Sequence, residues 1–140
     1  MPRIPVLSTL FLLLVGAFSL FAVEPPKIVK NNGHYQLLVD GQPFFVLGAQ
    51  INNSSSWPST LPEVWPAIEA MHVNTVEAPV YWEQVEPQPG NFVFSTVDDL
   101  VNQARQHHVH LVLLWFGTWK NGQMHYAPEW VKTNPQSIRA

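Results

Sequence analysis

The stretch Val73-Asn74-Thr75-Val76-Glu77-Ala78-Pro79-Val80-Tyr81-Trp82-Glu83-Gln84-Val85-Glu86-Pro87-Gln88-Pro89-Gly90 sets three carboxylates and two large aromatic side chains at the end of an apolar run. Two carboxylates about 5 Å apart across a glycosidic bond can act as acid and nucleophile. Glu77 falls within a strand pattern, whereas Glu83 and Glu86 share the loop behind it. Opposed placement across a bond generally needs carboxylates from separate strands. The three therefore read as groups that bond hydroxyls, position a Trp or serve the loop, not as a catalytic pair.

Aromatic side chains stand near the same strand ends: Tyr81 and Trp82 after one apolar run, Trp115 and Trp119 after another. Flat apolar rings suit the faces of sugars, and neighbouring amide, carboxylate and ammonium groups can bond hydroxyls. The substrate-binding set expected from this pattern is Asn52, Glu77, Tyr81, Trp82, Glu83, Trp115, Trp119, Lys120 and Asn121. For Trp82 and Trp115 the alternative is packing at the rim of the fold. His107, His108 and His110 straddle an expected helix end, where cationic side chains meet the negative end of the dipole. No carboxylate adjoins them in sequence, so a solvated helix end is expected there and no metal site. P-loop, dinucleotide-glycine and Gly-x-Ser-x-Gly patterns do not occur, and no cofactor is expected.

The elements that must position these groups follow from the pattern of apolar residues. His34–Val39 and Pro43–Gly48 flank Asp40-Gly41, a dipeptide suited to a tight hairpin because both residues tolerate positive φ. A polar loop, Asn52–Ser56, follows. A helix is expected from Thr60, with Thr60 and Glu63 as a capping box and Pro62 harmless in the first turn. Val64, Ile68 and Met71 would form its apolar face, with Trp65 beside them. His72 to Val76 leads into a strand. A second helix is capped by Ser95 and carries Val97, Leu100, Val101 and Ala104 at helical spacing. His110–Phe116 is an almost unbroken apolar run, the signature of a strand buried on both faces. Alternation of strand and helix with short connections means parallel pairing through right-handed crossovers, an α/β fold. Chemistry in such folds sits in the loops after the strands, here 50–57, 79–91 and 117–128.

Composition limits the partners. Of the 140 residues, 46% are hydrophobic and 12% charged, with a net charge of −3. That is a globular balance without the basic surface a nucleic-acid partner requires. With no cysteine, disulfides, thiolate metal sites and cysteine nucleophiles are excluded. The first residues differ in character: Arg3 is followed by an uncharged run from Ile4 to Val23 containing Leu10–Phe18, as in a secretory signal. Ala17 and Ser19, or Ala22, offer cleavage points, and residues 1–22 are taken as the leader. An uncleaved membrane anchor is the alternative. Either way the remainder, 23–140, is expected to work outside the cytoplasm, secreted or periplasmic.

A longer string then stands out. Asn74-Thr75-Val76, Val80-Tyr81-Trp82, Glu86-Pro87, Gly90, Phe92, Phe94 and Asp99-Leu100, with Leu111–Phe116 and Ala127-Pro128-Glu129-Trp130-Val131, resembles the second- and third-strand region of retaining β-galactosidases. Glycoside hydrolase families 35 and 42 both carry strings of this kind, and the likeness covers roughly Val39 to Val131. It implies a (β/α)₈ TIM barrel of which this chain holds roughly the first three βα units, preceded by a β-hairpin and the signal peptide. It also implies an oligosaccharide or polysaccharide substrate and hydrolysis of terminal β-galactosides with retention. In that clan the acid/base is a Glu after the fourth strand and the nucleophile a Glu after the seventh. Both would lie beyond residue 140, so these residues alone are expected to be an inactive fragment. Two positions depart from the family pattern: Pro79 stands where family 35 tends to have a Tyr that contacts galactose, and Trp119-Lys120-Asn121 replaces an Ala-Glu-Trp segment. The alternatives in other classes are a non-catalytic carbohydrate-binding protein and an endo-acting glycanase of the same clan.

Overall fold

The computed structural model describes residues 24–134 and Gln136, in two compact units divided between Phe44 and Phe45. The leader assigned from sequence, residues 1–22, lies outside the described residues. Among the described residues no helix is long and apolar enough to cross a membrane.

The first unit is an antiparallel meander of β1 (Lys27–Asn31), β2 (His34–Val39) and β3 (Gln42–Pro43). Asp40 and Gly41 both take positive φ, 51° and 73°, and close the expected hairpin. Its second arm is short, because β3 ends at Pro43 where the run to Gly48 was expected to continue the strand. Asn32 and Gly33, at φ 48° and 85°, close a second hairpin that pairs Lys27 with Leu38.

The second unit is a three-stranded parallel sheet in the order β4 (Gly48–Gln50), β5 (Thr75–Tyr81), β6 (His110–Phe116). Helix α1 (Leu61–Ala70) connects β4 to β5, and α3 (Ser95–Gln106) connects β5 to β6. The strand–helix alternation expected from sequence is therefore present. Register sets Gln50 beside Glu77 and Glu77 beside Val112. Val76 and Ala78 of β5 point to the helices and form one core with Ile51, Leu61, Trp65, Ile68, Leu100 and Ala104. Successive side chains alternate across a strand, so Thr75, Glu77, Pro79 and Tyr81 face away from the helices.

Three local expectations differ. The capping box does not form: Thr60 Oγ1 donates back to the carbonyls of Ser55 and Trp57, at 3.0 and 2.9 Å, and leaves the first turn uncapped by a side chain. The buried face of α1 is Leu61, Trp65 and Ile68, spaced by four and three, while Met71 is exposed past the helix end. Ser95 is the first helical residue of α3, preceded by Phe94, and its side chain makes no cap.

The faces of β6 are less covered than expected. It pairs with β5 on one side only and is an edge strand among the described residues, with Val112, Leu113 and Trp115 exposed. A continuous apolar run reports that both faces suit burial, not that both are covered. Exposed edges of this kind favour association with other chains.

The histidines divide by role. His107, at the end of α3, stacks on Trp65 with ring centroids 4.6 Å apart, and its Nδ1 lies 2.7 Å from Glu69 Oε1. Trp65 Nε1 donates to Gln103 Oε1 at 2.6 Å, so the far ends of α1 and α3 are stapled together. His108 takes a left-handed conformation in the turn that follows. Among the described residues no group of three or more His, Asp or Glu could hold a metal ion.

Candidate functional site

The loops expected to carry chemistry meet at the carboxyl ends of β4, β5 and β6, around Tyr81. This side chain ends β5 on the helix-free face and is buried, 1% exposed. Trp57 stacks on it from the first loop at 5.5 Å and Tyr126 from the third at 5.0 Å. Phe116, the last residue of β6, meets its ring edge-on at 5.9 Å. The Tyr81 hydroxyl is hydrogen-bonded to Ser56 Oγ at 2.9 Å and accepts from Ser56 N at 3.3 Å. Ser56 Oγ also donates to the Pro79 carbonyl. Burial raises the Tyr81 phenol above its ordinary pKa, against the opposing pull of the Ser56 hydrogen bonds. Tyr81 is thus a buried post for the rim, and its hydroxyl is spent inside the protein instead of facing a ligand.

Behind Tyr81 the chain turns into a single helical turn, α2 (Trp82–Val85), which is held by Glu86. Glu86 Oε2 accepts from Trp82 Nε1 at 2.7 Å and Oε1 accepts from Gly90 N at 2.8 Å. Its own carbonyl accepts from Trp130 Nε1 at 3.1 Å, and the indoles of Trp82 and Trp130 pack edge to face. Gly90 sits at φ 73°, a conformation that glycine adopts without strain. The Glu-Pro…Gly string is therefore a loop-closing device, and Trp82 belongs to it. The Gly90 amide first, and the Trp82 indole second, hold the Glu86 carboxyl below its ordinary pKa.

A testable pH dependence follows from that direction. The folded state prefers Glu86 ionised, so its contribution to stability is complete above the ordinary carboxylate value of 4.5. It fades as the pH falls through the lower folded value. Glu86→Gln should lower the thermal midpoint by a constant amount from pH 7 to about 5, with the gap closing as the pH drops below about 4. A gap unchanged down to about pH 3 would show that the charge is irrelevant.

The other expected residues separate into two groups. Glu83 Oε2 lies 3.3 Å from Lys132 Nζ of α4 (Glu129–Lys132), and Glu83 N donates to the Tyr126 carbonyl at 2.9 Å. Both contacts fasten the third loop to the end of β5. Trp115 lies across the sheet from the rim: it lines an apolar pocket of about 230 Å³ with Val80, Val85, Phe94, Val97 and Leu113 on the helix side. Its indole also fills the space where a Gly117 Cβ would stand, 2.9 Å from Nε1. Strand parity therefore removes Trp115 from the group around Tyr81.

Asn52, Trp119, Lys120 and Asn121 remain at or near the rim, while Glu77 lies in the body of β5, four residues before Tyr81. Asn52 is exposed just past β4 and lines a groove of about 360 Å³ with Gln50, Ser55 and α1 residues. Glu77 is half-buried on the helix-free face. Trp119 is 66% exposed. It precedes a two-residue turn in which Lys120 and Gln123 exchange backbone hydrogen bonds at 3.0 and 3.2 Å around Asn121 and Gly122. Lys120 Nζ stands 4.5 Å above the centroid of the Phe116 ring.

Sequence reasoning did not single out Ser54, Ser56, Trp57 or Tyr126 for the rim. Ser54 Oγ and the Tyr126 hydroxyl are hydrogen-bonded at 3.0 Å, joining the first loop to the third. The turn at Asn121-Gly122 did carry a signal, since Asn-Gly is the strongest short hairpin dipeptide.

Comparison with known proteins bears on this geometry. The family model for glycosyl hydrolases family 35 matches residues 36–139. The chain belongs to that family. Family 35 is one of the two families whose motif strings the sequence resembles. This family-35 chain is 28% identical over 139 residues to Beta-galactosidase-1-like protein of Mus musculus, covering 94% of itself and 21% of the mouse protein. It is 35% identical over 69 residues to Beta-galactosidase 11 of Arabidopsis thaliana, covering 46% of itself and 8% of that protein. The chain therefore spans about a fifth or less of the length of these curated relatives. Among solved structures, Exo-beta-1,4-mannosidase Op5Man5 from Opitutaceae bacterium strain TAV5 aligns with a TM-score of 0.50 at 22% identity. The alignment covers 64% of this chain and 18% of the mannosidase. Family and shared fold together give a TIM-barrel-like architecture, to which the β4-β5-β6 sheet corresponds.

Proposed function

We propose that these residues form one wall of the sugar-binding cleft of a β-galactosidase-like glycoside hydrolase that releases terminal β-galactosides with retention. In the barrel they supply the first three βα units, and the first two hairpin turns of the described chain precede them. The observation that carries the reading is Trp119, a largely exposed indole on a closed hairpin at the carboxyl end of β6. An exposed ring held there suits the apolar face of a sugar. Asn52, Asn121 and Glu77 are assigned as hydroxyl-binding groups.

Glu83 and Glu86 are assigned no part in bond cleavage, because Glu83 is engaged by Lys132, and Glu86 by Trp82 and Gly90. The acid and the nucleophile are assigned to carboxylates outside residues 24–134. The leader, residues 1–22, is assigned to export, and the site is placed in the periplasm or outside the cell.

The test is an assay of the full gene product carrying these residues on nitrophenyl β-galactoside, with nitrophenyl β-mannoside as comparator. Galactose released first as the β-anomer supports the reading. Release of mannose in preference, or of neither sugar by a folded protein, rejects it. Amino-terminal sequencing of the product should begin at or near Val23, and an intact Met1 would reject cleavage of the leader; recovery of the product in the cytoplasm would reject the export assignment.

A further inference from the structure

Lys120 stands next to Trp119 and is the residue most easily taken for a sugar contact. Its surroundings assign it another task. Its ammonium lies 4.5 Å above the Phe116 ring. That ring is itself buried, edge-on to Tyr81 at 5.9 Å and 5.1 Å from Tyr126. Among the described residues Lys120 forms no ion pair with a carboxylate. A cation over an aromatic face is attracted by the ring quadrupole, and the attraction strengthens as water is excluded. Lys120 also closes the hairpin through both of its backbone hydrogen bonds with Gln123. A second tether lies on the far side of the hairpin, where the Tyr126 hydroxyl meets Ser54 Oγ at 3.0 Å and the Tyr126 carbonyl accepts from Glu83 N.

We propose that Lys120 is a positioning residue: by pinning the hairpin onto Phe116, with Tyr126 and Ser54 as the second tether, it fixes where Trp119 stands and thereby sets affinity for the sugar. The proposal rests on the rim being the sugar site. A preorganised platform binds more tightly because less ordering remains to be done on binding.

The experiment uses the full gene product and compares Lys120→Met, Lys120→Arg and Tyr126→Phe with the wild type. Two readouts are taken: amide hydrogen exchange of peptides covering 117–126, and KM with kcat on nitrophenyl β-galactoside. Lys120→Met keeps the length of the side chain and loses the cation. It is expected to speed exchange at the Lys120 and Gln123 amides about tenfold and to raise KM about three- to tenfold, with kcat within about twofold. Lys120→Arg, whose guanidinium also stacks on rings, should restore both. Tyr126→Phe should show the same pattern more weakly, because its ring contacts remain.

If KM rises in Lys120→Met while exchange is unchanged, Lys120 touches the sugar directly and the proposal falls. If exchange rises and KM does not, the tether exists but does not set affinity, and the proposal falls on that ground. A wild type that cleaves no galactoside removes the sugar-site reading and the affinity claim with it. The exchange data then still decide whether Lys120 pins the hairpin.

Discussion

Replacing Tyr81 by alanine should destabilise the second unit by about 3–5 kcal/mol, the range for deleting a large buried aromatic side chain. The reason is its place in the rim. The ring is covered by Trp57, Phe116 and Tyr126, one from each neighbouring segment, so truncation leaves a cavity that no single element can fill. Tyr81→Phe isolates the polar part of the effect. The ring stays, but the buried Ser56 amide loses its acceptor and Ser56 Oγ loses one of its two partners. An unsatisfied buried polar group costs about 1–3 kcal/mol, so the phenylalanine variant should fall between wild type and alanine. Urea unfolding at pH 7 measures both. Equal stabilities for Tyr81→Phe and wild type would mean that the Ser56 hydrogen bonds are replaced by water, and an alanine variant within about 1 kcal/mol of wild type would refute the role of a buried post.

The second large effect is on affinity rather than stability. With Trp119 in the proposed sugar-binding role, Trp119→Ala in the full gene product should raise KM for nitrophenyl β-galactoside about thirtyfold, the equivalent of about 2 kcal/mol for truncating an aromatic anchor. The same change should leave the urea midpoint almost unmoved, because the side chain is exposed and, among the described residues, makes no ring contact comparable to those around Tyr81. Trp115→Ala is the matched control. It removes an indole only four residues away in sequence, on the other side of the sheet. Its KM should stay within about twofold of wild type, while its stability falls as the apolar pocket it lines is emptied. If Trp115→Ala raises KM and Trp119→Ala does not, the assignment of faces is inverted.

The contrast between these two tryptophans marks how far the sequence could be read. Strand and helix periods located β5, α1, α3 and β6, and the alternation implied the parallel sheet. The loops that bear the rim were legible because chemistry in such folds follows the strands. Strand parity was not legible in His110–Phe116. When every residue of a run is apolar, nothing in the pattern says which alternate set faces the helices. Trp115 and Phe116 are adjacent, yet one lines a pocket behind the sheet and the other supports the rim in front of it.

Side-chain hydrogen bonding was the other blind spot. Thr60 and Glu63 have the spacing of a capping box, but the Thr60 hydroxyl turns to the carbonyls of the preceding turn and the Glu63 amide donates to the Thr60 backbone carbonyl instead. Glu86 shows the reverse case. In sequence it is one of three similar carboxylates, and only the positions of the Gly90 amide and the Trp82 indole distinguish it as the closure of its loop. Ser56 and Tyr126 lay in loops already singled out, but a serine among serines and a tyrosine between His125 and Ala127 carry no periodic signal. Asn32-Gly33 and Asn121-Gly122 could have been read as hairpins from the same rule that identified Asp40-Gly41.

The order of the parallel strands has a consequence for how the rim comes into being. Each strand of the second unit pairs with the one that precedes it in the chain, β5 on β4 and then β6 on β5. During synthesis, which delivers the amino-terminal part first, only one new pairing has to be found at each stage. The Tyr81 ring then waits with Trp57 against it until β6 docks and brings Phe116. Only then can Tyr126 close over the pair and the Trp119 hairpin settle onto its support. Among the described residues the rim around Tyr81 is therefore the last part to take shape, and an error in any earlier docking step is inherited there.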